Sequence, residues 1–180
     1  MEGRFRQHVD RACYVDGSTA ASDPHEFRLC VRIVRPIFQV FVYVDENAAL
    51  NGFDNVEFVA ANAFDYLKEQ CAAGNQFDVV ILDPPAFTKS RANIDAATRG
   101  YKEINLRGMQ LVKNGGYLIT CSCSQHILPD MFMNIVKSAA QDARVSLFQV
   151  EYRTQGKDHP ILPNAVETQY LKCGIFRIDK

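Results

Sequence analysis

The chain has 180 residues, 47% of them hydrophobic, which is enough for one domain with a substantial core. Its 20 Lys and Arg against 21 Asp and Glu give a net charge of −1, which excludes the overall positive field that drives non-specific nucleic-acid binding. Neither a signal peptide nor a run of roughly twenty apolar residues that spans a bilayer is visible. We therefore expect a cytoplasmic protein, without membrane contacts, whose contacts with nucleic acid are local.

Residues 1–44 are predicted to form an atypical N-terminal segment. RACYVDGSTAASDPHEF indicates a loop, whereas FRLCVRIVRPIFQVFVYV is rich in β-branched and aromatic residues and is broken by Pro36. No glycine-rich G-x-G-x-x-G turn is present in this segment. We expect either FRLCVRIV or IFQVFVYV to cover a sheet edge, because an unpaired strand invites aggregation.

Residues 45–180 alternate between strand and helix patterns, which predicts an α/β fold with a mostly parallel sheet and helices on both faces. The predicted helices are the end of DENAALNG, AFDYLKEQCAAG closing near Gly74, a helix carrying Ala97 to Leu111 that stops at KNGG, and one that starts near Pro129 and buries Phe132, Ile135, Val136 and Ala139. The predicted strands are NVEFVA, FDVVIL, YLITC, VSLFQV and YLKCGIFRI.

The strand FDVVIL ends in Asp83, Pro84 and Pro85, at the sheet edge where parallel folds bind ligands. Two prolines fix φ and remove two backbone donors, so the chain leaves the strand rigidly and holds the aspartate at its end. A planar base or amide can dock there. The alternative is that the prolines only terminate the strand.

The strand YLITC ends in Cys121 and continues to Cys123, and two residues so spaced in a strand face the same way, which disfavours a disulfide. A metal needs about four ligands, for which only His126 and His159 are further candidates, so we expect none. The cysteines are then either small hydrophobic residues or a nucleophile. The helix that follows Cys123 is expected to favour its thiolate, which with an acid suits attack on an electron-poor ring such as cytosine.

Three ordered stretches carry a specific resemblance: FDVVILDPPAFTKSR, RGYKEINLRGMQLVKNGGYLITCSCSQH and DHPILPNAVETQYLK. Together they resemble the catalytic half of the bacterial 23S ribosomal RNA large-subunit 5-methylcytosine methyltransferases, over about residues 45–180. These are class I enzymes with a Rossmann-like fold that use S-adenosylmethionine. The resemblance implies an RNA methyltransferase whose partner is ribosomal RNA and whose first strands are atypical or missing.

The resemblance also implies roles for individual residues. Asp83–Pro85 match the motif beside the methyl donor and the target base, and Cys123 matches the nucleophile, whereas Cys121 falls where relatives tolerate other residues. Asn62, followed by Ala63, lies where relatives usually have an aspartate near the cofactor adenine. In the implied reaction the thiolate adds to C6, C5 becomes nucleophilic, and Asp83 steadies the pyrimidine at N3 or the amino group. The base that removes the C5 proton is not assigned.

Two features leave alternatives open. The glycine-rich cofactor loop of relatives, and their strand that ends in an acid for the ribose, are not visible before Asp45. An amino-group methyltransferase that uses Asp-Pro-Pro, and a cofactor-free RNA- or protein-binding remnant, therefore remain. Further candidates are Asp158-His159-Pro160 near the site and five basic residues that either meet phosphates or form a solvated helix face: Lys89, Arg91, Arg99, Lys102 and Arg107.

Overall fold

A computed structural model describes residues 12–16, 29–31, 49–52, 59, 61–88 and 90–180 of the chain. In these ranges the strands are β1 (Ala12–Asp16), β2 (Leu29–Val31), β3 (Phe77–Asp83), β4 (Val112–Ser122), β5 (Ser146–Arg153) and β6 (Lys172–Asp179). The α-helices are α1 (Ala63–Ala72), α2 (Ile94–Leu111) and α3 (Pro129–Ala143). Short 3-10 helices span Arg91–Asn93 and Val166–Thr168.

The strands form one sheet in the order β2-β1-β3-β4-β6-β5. The pairs β1–β2, β1–β3 and β3–β4 are parallel, whereas β6 runs antiparallel to both β4 and β5. The predicted α/β architecture is confirmed. Because β6 is reversed, its first residues lie at the same edge of the sheet as the last residues of β3 and β4.

The three described helices pack side by side, with α2 between α1 and α3, over one face of the sheet. Beneath them the alternate residues Val80, Leu82 and Leu118 are fully buried, as the period of two in a strand requires. The predicted apolar face of α3 is confirmed, since its residues are all buried: Phe132, Ile135, Val136 and Ala139. Helices on the opposite face, which the sequence also predicts, stay a prediction.

The ends of the helices follow from local sequence. Asn62 is the N-cap of α1, and Gly74, at φ +69°, lies just beyond the C-cap Ala73, as predicted. Residues 49–50 are helical, and Gly52, at φ +70°, lies in the turn that follows them, which agrees with the predicted helix end. Pro129 starts α3, where its missing N–H costs nothing.

The structure corrects one prediction and changes the bounds of another. RACYVDGSTAASDPHEF is not all loop, because its residues 12–16 form β1, which is paired on both sides. Among the described residues, 29–31 of FRLCVRIV form β2 at one edge of the sheet, where cover was expected, whereas IFQVFVYV and all of NVEFVA except Val59 lie outside them. Strand β4 starts before YLITC and takes in KNGG, with a shift in its register against β3. No described helix is long and apolar enough to cross a membrane.

Candidate active site

The ends of β3 and β4 lie side by side, since Leu82 of β3 is in register with Thr120 of β4. Just beyond them the Cys123 sulfur lies 3.9 Å from the Pro84 carbonyl oxygen. The Asp83 carboxylate is near enough for its charge to act on Cys123. The structure therefore brings Asp83, Pro84 and Cys123 together at one edge of the sheet.

Cys123 is half-buried, and its surroundings disfavour the thiolate. Burial raises the pKa of Cys123 above its usual value, and the negative charge of Asp83 raises it further. Backbone hydrogen bonds and the positive charge of Lys172 act in the opposite direction. The helix that was expected to favour the thiolate, α3, starts only at Pro129, whereas burial and Asp83 act on Cys123 in the opposite direction.

Ser124, the residue after Cys123, is buried and connects the two loops. Its Oγ accepts a hydrogen bond from the Phe87 N–H at 3.1 Å and shares another with the Tyr101 hydroxyl at 2.8 Å. The Phe87 ring also packs on the Tyr101 ring, with centroids 4.5 Å apart. The loop after β3, the loop after β4 and helix α2 are thus fixed to one another beside Cys123.

Lys172, the first residue of β6, has only 1% of its surface exposed. Its Nζ donates to the carbonyl oxygens of Ser124 at 2.8 Å and Tyr170 at 2.7 Å. Burial lowers the pKa of Lys172 to about 8, while the negative charge that Cys123 can carry acts to raise it. Sequence reasoning missed this residue. The signal for it is a lysine within the apolar run of YLKCGIFRI.

Cys121 and Cys123 have different surroundings, although they are two residues apart. Cys121 is buried and lies directly opposite Cys173 on β6, and a hydrogen bond with Cys121 lowers the pKa of Cys173. Cys123 lies past the end of β4 and faces the Asp83–Pro85 loop instead. Cys121 and Cys123 are both free cysteines.

The predicted cofactor residues Asn62 and Ala63 lie at the start of α1. Asn62 Oδ1 accepts a hydrogen bond from the Phe64 N–H at 3.0 Å, and the Phe64 ring lies 5.9 Å from the Phe87 ring. The start of α1 is therefore next to the loop that follows Asp83–Pro85, so these segments lie together.

Strand β1 adds a position that the sequence analysis missed. Asp16, its last residue, is in register with Asp83, so both backbones reach the same edge of the sheet. The available signal is the short apolar run ACYV followed by Asp16 and Gly17.

Three of the remaining candidates have other partners, and Lys89 lies outside the described residues. His159 is exposed, with its Nδ1 3.0 Å from Asp158 Oδ2. Lys102 pairs with Asp142 and Arg107 with Glu103, which favours the solvated-face interpretation for these two. Within the part of the chain that the structure describes, no three His, Cys, Asp or Glu side chains are arranged to hold a metal.

Residues 42–165 match the family model of the methyltransferase domain, so this chain belongs to that family. It is 43% identical over 134 residues to ribosomal RNA large subunit methyltransferase I of Aeromonas hydrophila, and 41% identical over 128 residues to that of Alteromonas mediterranea. These matches confirm the resemblance to ribosomal RNA large-subunit methyltransferases. They cover 73% and 70% of this chain but 34% and 32% of those proteins, so the chain spans about a third of the length of the curated relatives it matches.

Solved structures with low sequence identity share the fold. The structure of SMU.776, determined with SAH bound, has a TM-score of 0.73 at 14% identity and covers 93% of this chain and 45% of its own. NSun6 from Pyrococcus horikoshii, determined with SFG, has a TM-score of 0.61 at 15% identity and covers 94% of this chain and 47% of its own. At these identities the likeness concerns the fold alone.

Proposed function

We propose that this chain is part of the catalytic half of an S-adenosylmethionine-dependent enzyme that methylates C5 of a cytidine in large-subunit ribosomal RNA. Cys123 is the nucleophile and Asp83 steadies the base. The observation that carries the proposal is the approach of Cys123 to the Asp83–Pro85 loop, at the sheet edge where such folds bind ligands. The names of the curated relatives support ribosomal RNA as the substrate.

Asn62, Ala63 and the Asp83–Pro85 loop are the residues proposed to hold the cofactor. Their fit is supported by the contact between the start of α1 and the loop after β3. Because Asn62 Oδ1 caps the helix, its amide N–H groups are the part that can donate to an adenine ring nitrogen. S-adenosylmethionine, when bound, supplies an electrophilic methyl group on a positively charged sulfur.

Cys123 and Asp83 are proposed to act together, with Asp83 taking the thiol proton when the base is bound. Two negative charges so close disfavour each other, so without a ligand the proton stays on the thiol. When it moves to the carboxylate, Cys123 can add to C6 of cytosine while the protonated Asp83 donates to N3. The addition makes C5 nucleophilic. After methyl transfer C5 loses its proton, and the bond between the Cys123 sulfur and C6 breaks.

The test of the nucleophile compares Cys123→Ala with Cys121→Ala, a matched control two positions away. Methylation of a short cytidine-containing ribosomal RNA fragment is expected to fall at least about a thousandfold in Cys123→Ala and to persist in Cys121→Ala. A fragment with fluorine at C5 cannot lose a proton there, so it is expected to form a covalent adduct with the wild type and with Cys121→Ala only. Full methylation by Cys123→Ala would contradict the proposal and favour an amino-group methyltransferase.

The test of the cofactor is calorimetric titration of the folded protein with S-adenosylmethionine. We expect saturable one-to-one binding, and weaker binding by Asn62→Ala because the helix cap and the proposed donors are lost together. Absence of binding by the folded wild type would overturn the enzymatic proposal and favour the cofactor-free binding remnant.

A further inference from the structure

Lys172 is a buried lysine whose role the proposed mechanism does not yet use. Its side chain is buried to the same degree as Leu82 or Phe132, yet its two hydrogen-bond acceptors among the described residues are neutral carbonyl oxygens. A buried ammonium without a carboxylate partner is costly to keep, because the loss of hydration is not repaid by an opposite charge. Such a residue calls for a functional explanation.

The contacts of Lys172 lie directly beside Cys123. One acceptor is the carbonyl oxygen of Ser124, at 2.8 Å, so the ammonium holds the backbone of the residue that follows the sulfur. The other is Tyr170, two residues before Lys172, at 2.7 Å, which fixes the lysine to the start of its own strand. Lys172 therefore ties β6 to the β4 loop where Cys123 leaves the sheet.

The charges around Cys123 explain what this tie can do. Asp83 disfavours a thiolate at position 123, and Tyr101 is neutral in its ordinary form. Among the residues that the structure describes, Lys172 is the basic residue whose charge favours that thiolate, and the sulfur in turn favours the protonated lysine. The positive charge of Lys172 lowers the pKa of Cys123, whereas burial and the charge of Asp83 raise it.

We propose that Lys172 is a positioning residue for Cys123: its ammonium holds the loop after β4 through the Ser124 carbonyl and favours the anionic form of the sulfur. This inference rests on the proposed function, since it assigns Lys172 a part in preparing the nucleophile. When Asp83 takes the thiol proton, Cys123 becomes an anion beside the Lys172 ammonium, so the net charge of these two side chains falls from +1 to 0. The lysine itself gives up no proton.

The test measures the rate at which iodoacetamide alkylates Cys123 as a function of pH, read by mass spectrometry at the peptide that contains it. Neither RNA nor cofactor is present. Below about pH 8, where Lys172 carries its charge, alkylation of Cys123 is expected to be roughly tenfold slower in Lys172→Met than in the wild type. Lys172→Arg keeps the charge and is expected to restore most of the wild-type profile.

Lys113→Met is the matched control, because Lys113 makes its ion pair with Asp78 at the far end of β3. Its alkylation profile is expected to coincide with that of the wild type. A folded Lys172→Met protein with an unshifted profile would overturn the inference. Equal shifts in Lys172→Met and Lys113→Met would overturn it as well, because they would indicate a general effect of charge.

A second measurement keeps the inference testable if Lys172→Met does not fold. Coupling between two charges is reciprocal, so a carboxylate in place of the neutral thiol must raise the pKa of the lysine. In Cys123→Asp the midpoint of the Lys172 ¹³Cε chemical-shift titration is expected to lie above that of Cys123→Ser, the neutral control of similar size. Equal midpoints in the two variants would contradict the inference.

The two proposals fail in different ways. If Cys123→Ala abolishes methylation but Lys172→Met leaves the alkylation profile unchanged, only the role of Lys172 is wrong. If Lys172→Met shifts the profile but Cys123→Ala still methylates RNA, the proposed function is wrong and the electrostatic coupling stands as a property of the loop.

Discussion

The loop after β3 and the loop after β4 meet at one site but are held in place by different forces. The first contains Pro84 and Pro85, whose rings fix the backbone without help from the rest of the chain. The second has no proline between Cys123 and Leu128 and depends on hydrogen bonds from residues distant in sequence, such as Phe87 and Lys172. Stiffness is local in one loop and imposed by tertiary contacts in the other.

Asp83→Asn tests the first loop with the largest expected effect. The substitution keeps the shape but removes the charge and the proton acceptor, so methylation is expected to fall about a hundredfold to a thousandfold. Because Asp83 raises the pKa of Cys123, the same change is expected to make the thiol easier to ionise and faster to alkylate. Methylation and iodoacetamide assays on one sample show both effects. Wild-type methylation by Asp83→Asn would contradict the assigned role.

Ser124→Ala tests the second loop. The Phe87 N–H and the Tyr101 hydroxyl both lose their contact with Ser124 Oγ, and leaving buried donors unsatisfied costs about 1–3 kcal/mol of the free energy of unfolding. Urea denaturation measures this loss. Ser138→Ala is the matched control, since Ser138 lies within α3, where alanine is favourable, and it is expected to change stability by less than about 0.5 kcal/mol. Equal effects of the two substitutions would show that Ser124 does not hold the loops together.

Pro85→Ala is expected to have the smallest effect. Pro85 is exposed, so the substitution mainly restores freedom to the unfolded chain and costs about 0.4–1 kcal/mol of the free energy of unfolding. The same denaturation experiment measures it. A loss larger than that of Ser124→Ala would reverse the comparison between the loops and make the prolines the main support of the site.

Features that depend on neighbouring residues were predictable from the sequence. A few adjacent residues determine each of three such features, and the structure has all of them. They are the end of β3 at Asp83–Pro85, the end of α1 near Gly74 and the apolar face of α3. The proximity of Asp83 and Cys123 also followed, because parallel neighbouring strands end at one edge.

Features that depend on distant partners were not predictable. Lys172 reaches Ser124 across 48 residues, and a lysine in an apolar strand gives no hint of its acceptors. The sequence shows a helix downstream of Cys123 but not the burial of the thiol or the nearness of Asp83, which both raise the pKa of Cys123. Strand β1 was missed because its five residues are too few for a periodic pattern to stand out.

The reversed direction of β6 has a consequence for how substitutions in this strand will behave. A parallel strand in the same place would bring its last residue to the site, whereas β6 brings its first, Lys172, and carries Asp179 to the opposite edge. Insertions or deletions in the segment that leads into β6 would therefore shift the registration of the lysine against the sulfur, while changes near Asp179 would leave that alignment intact. The proposed role of this strand therefore depends on its first residue, Lys172.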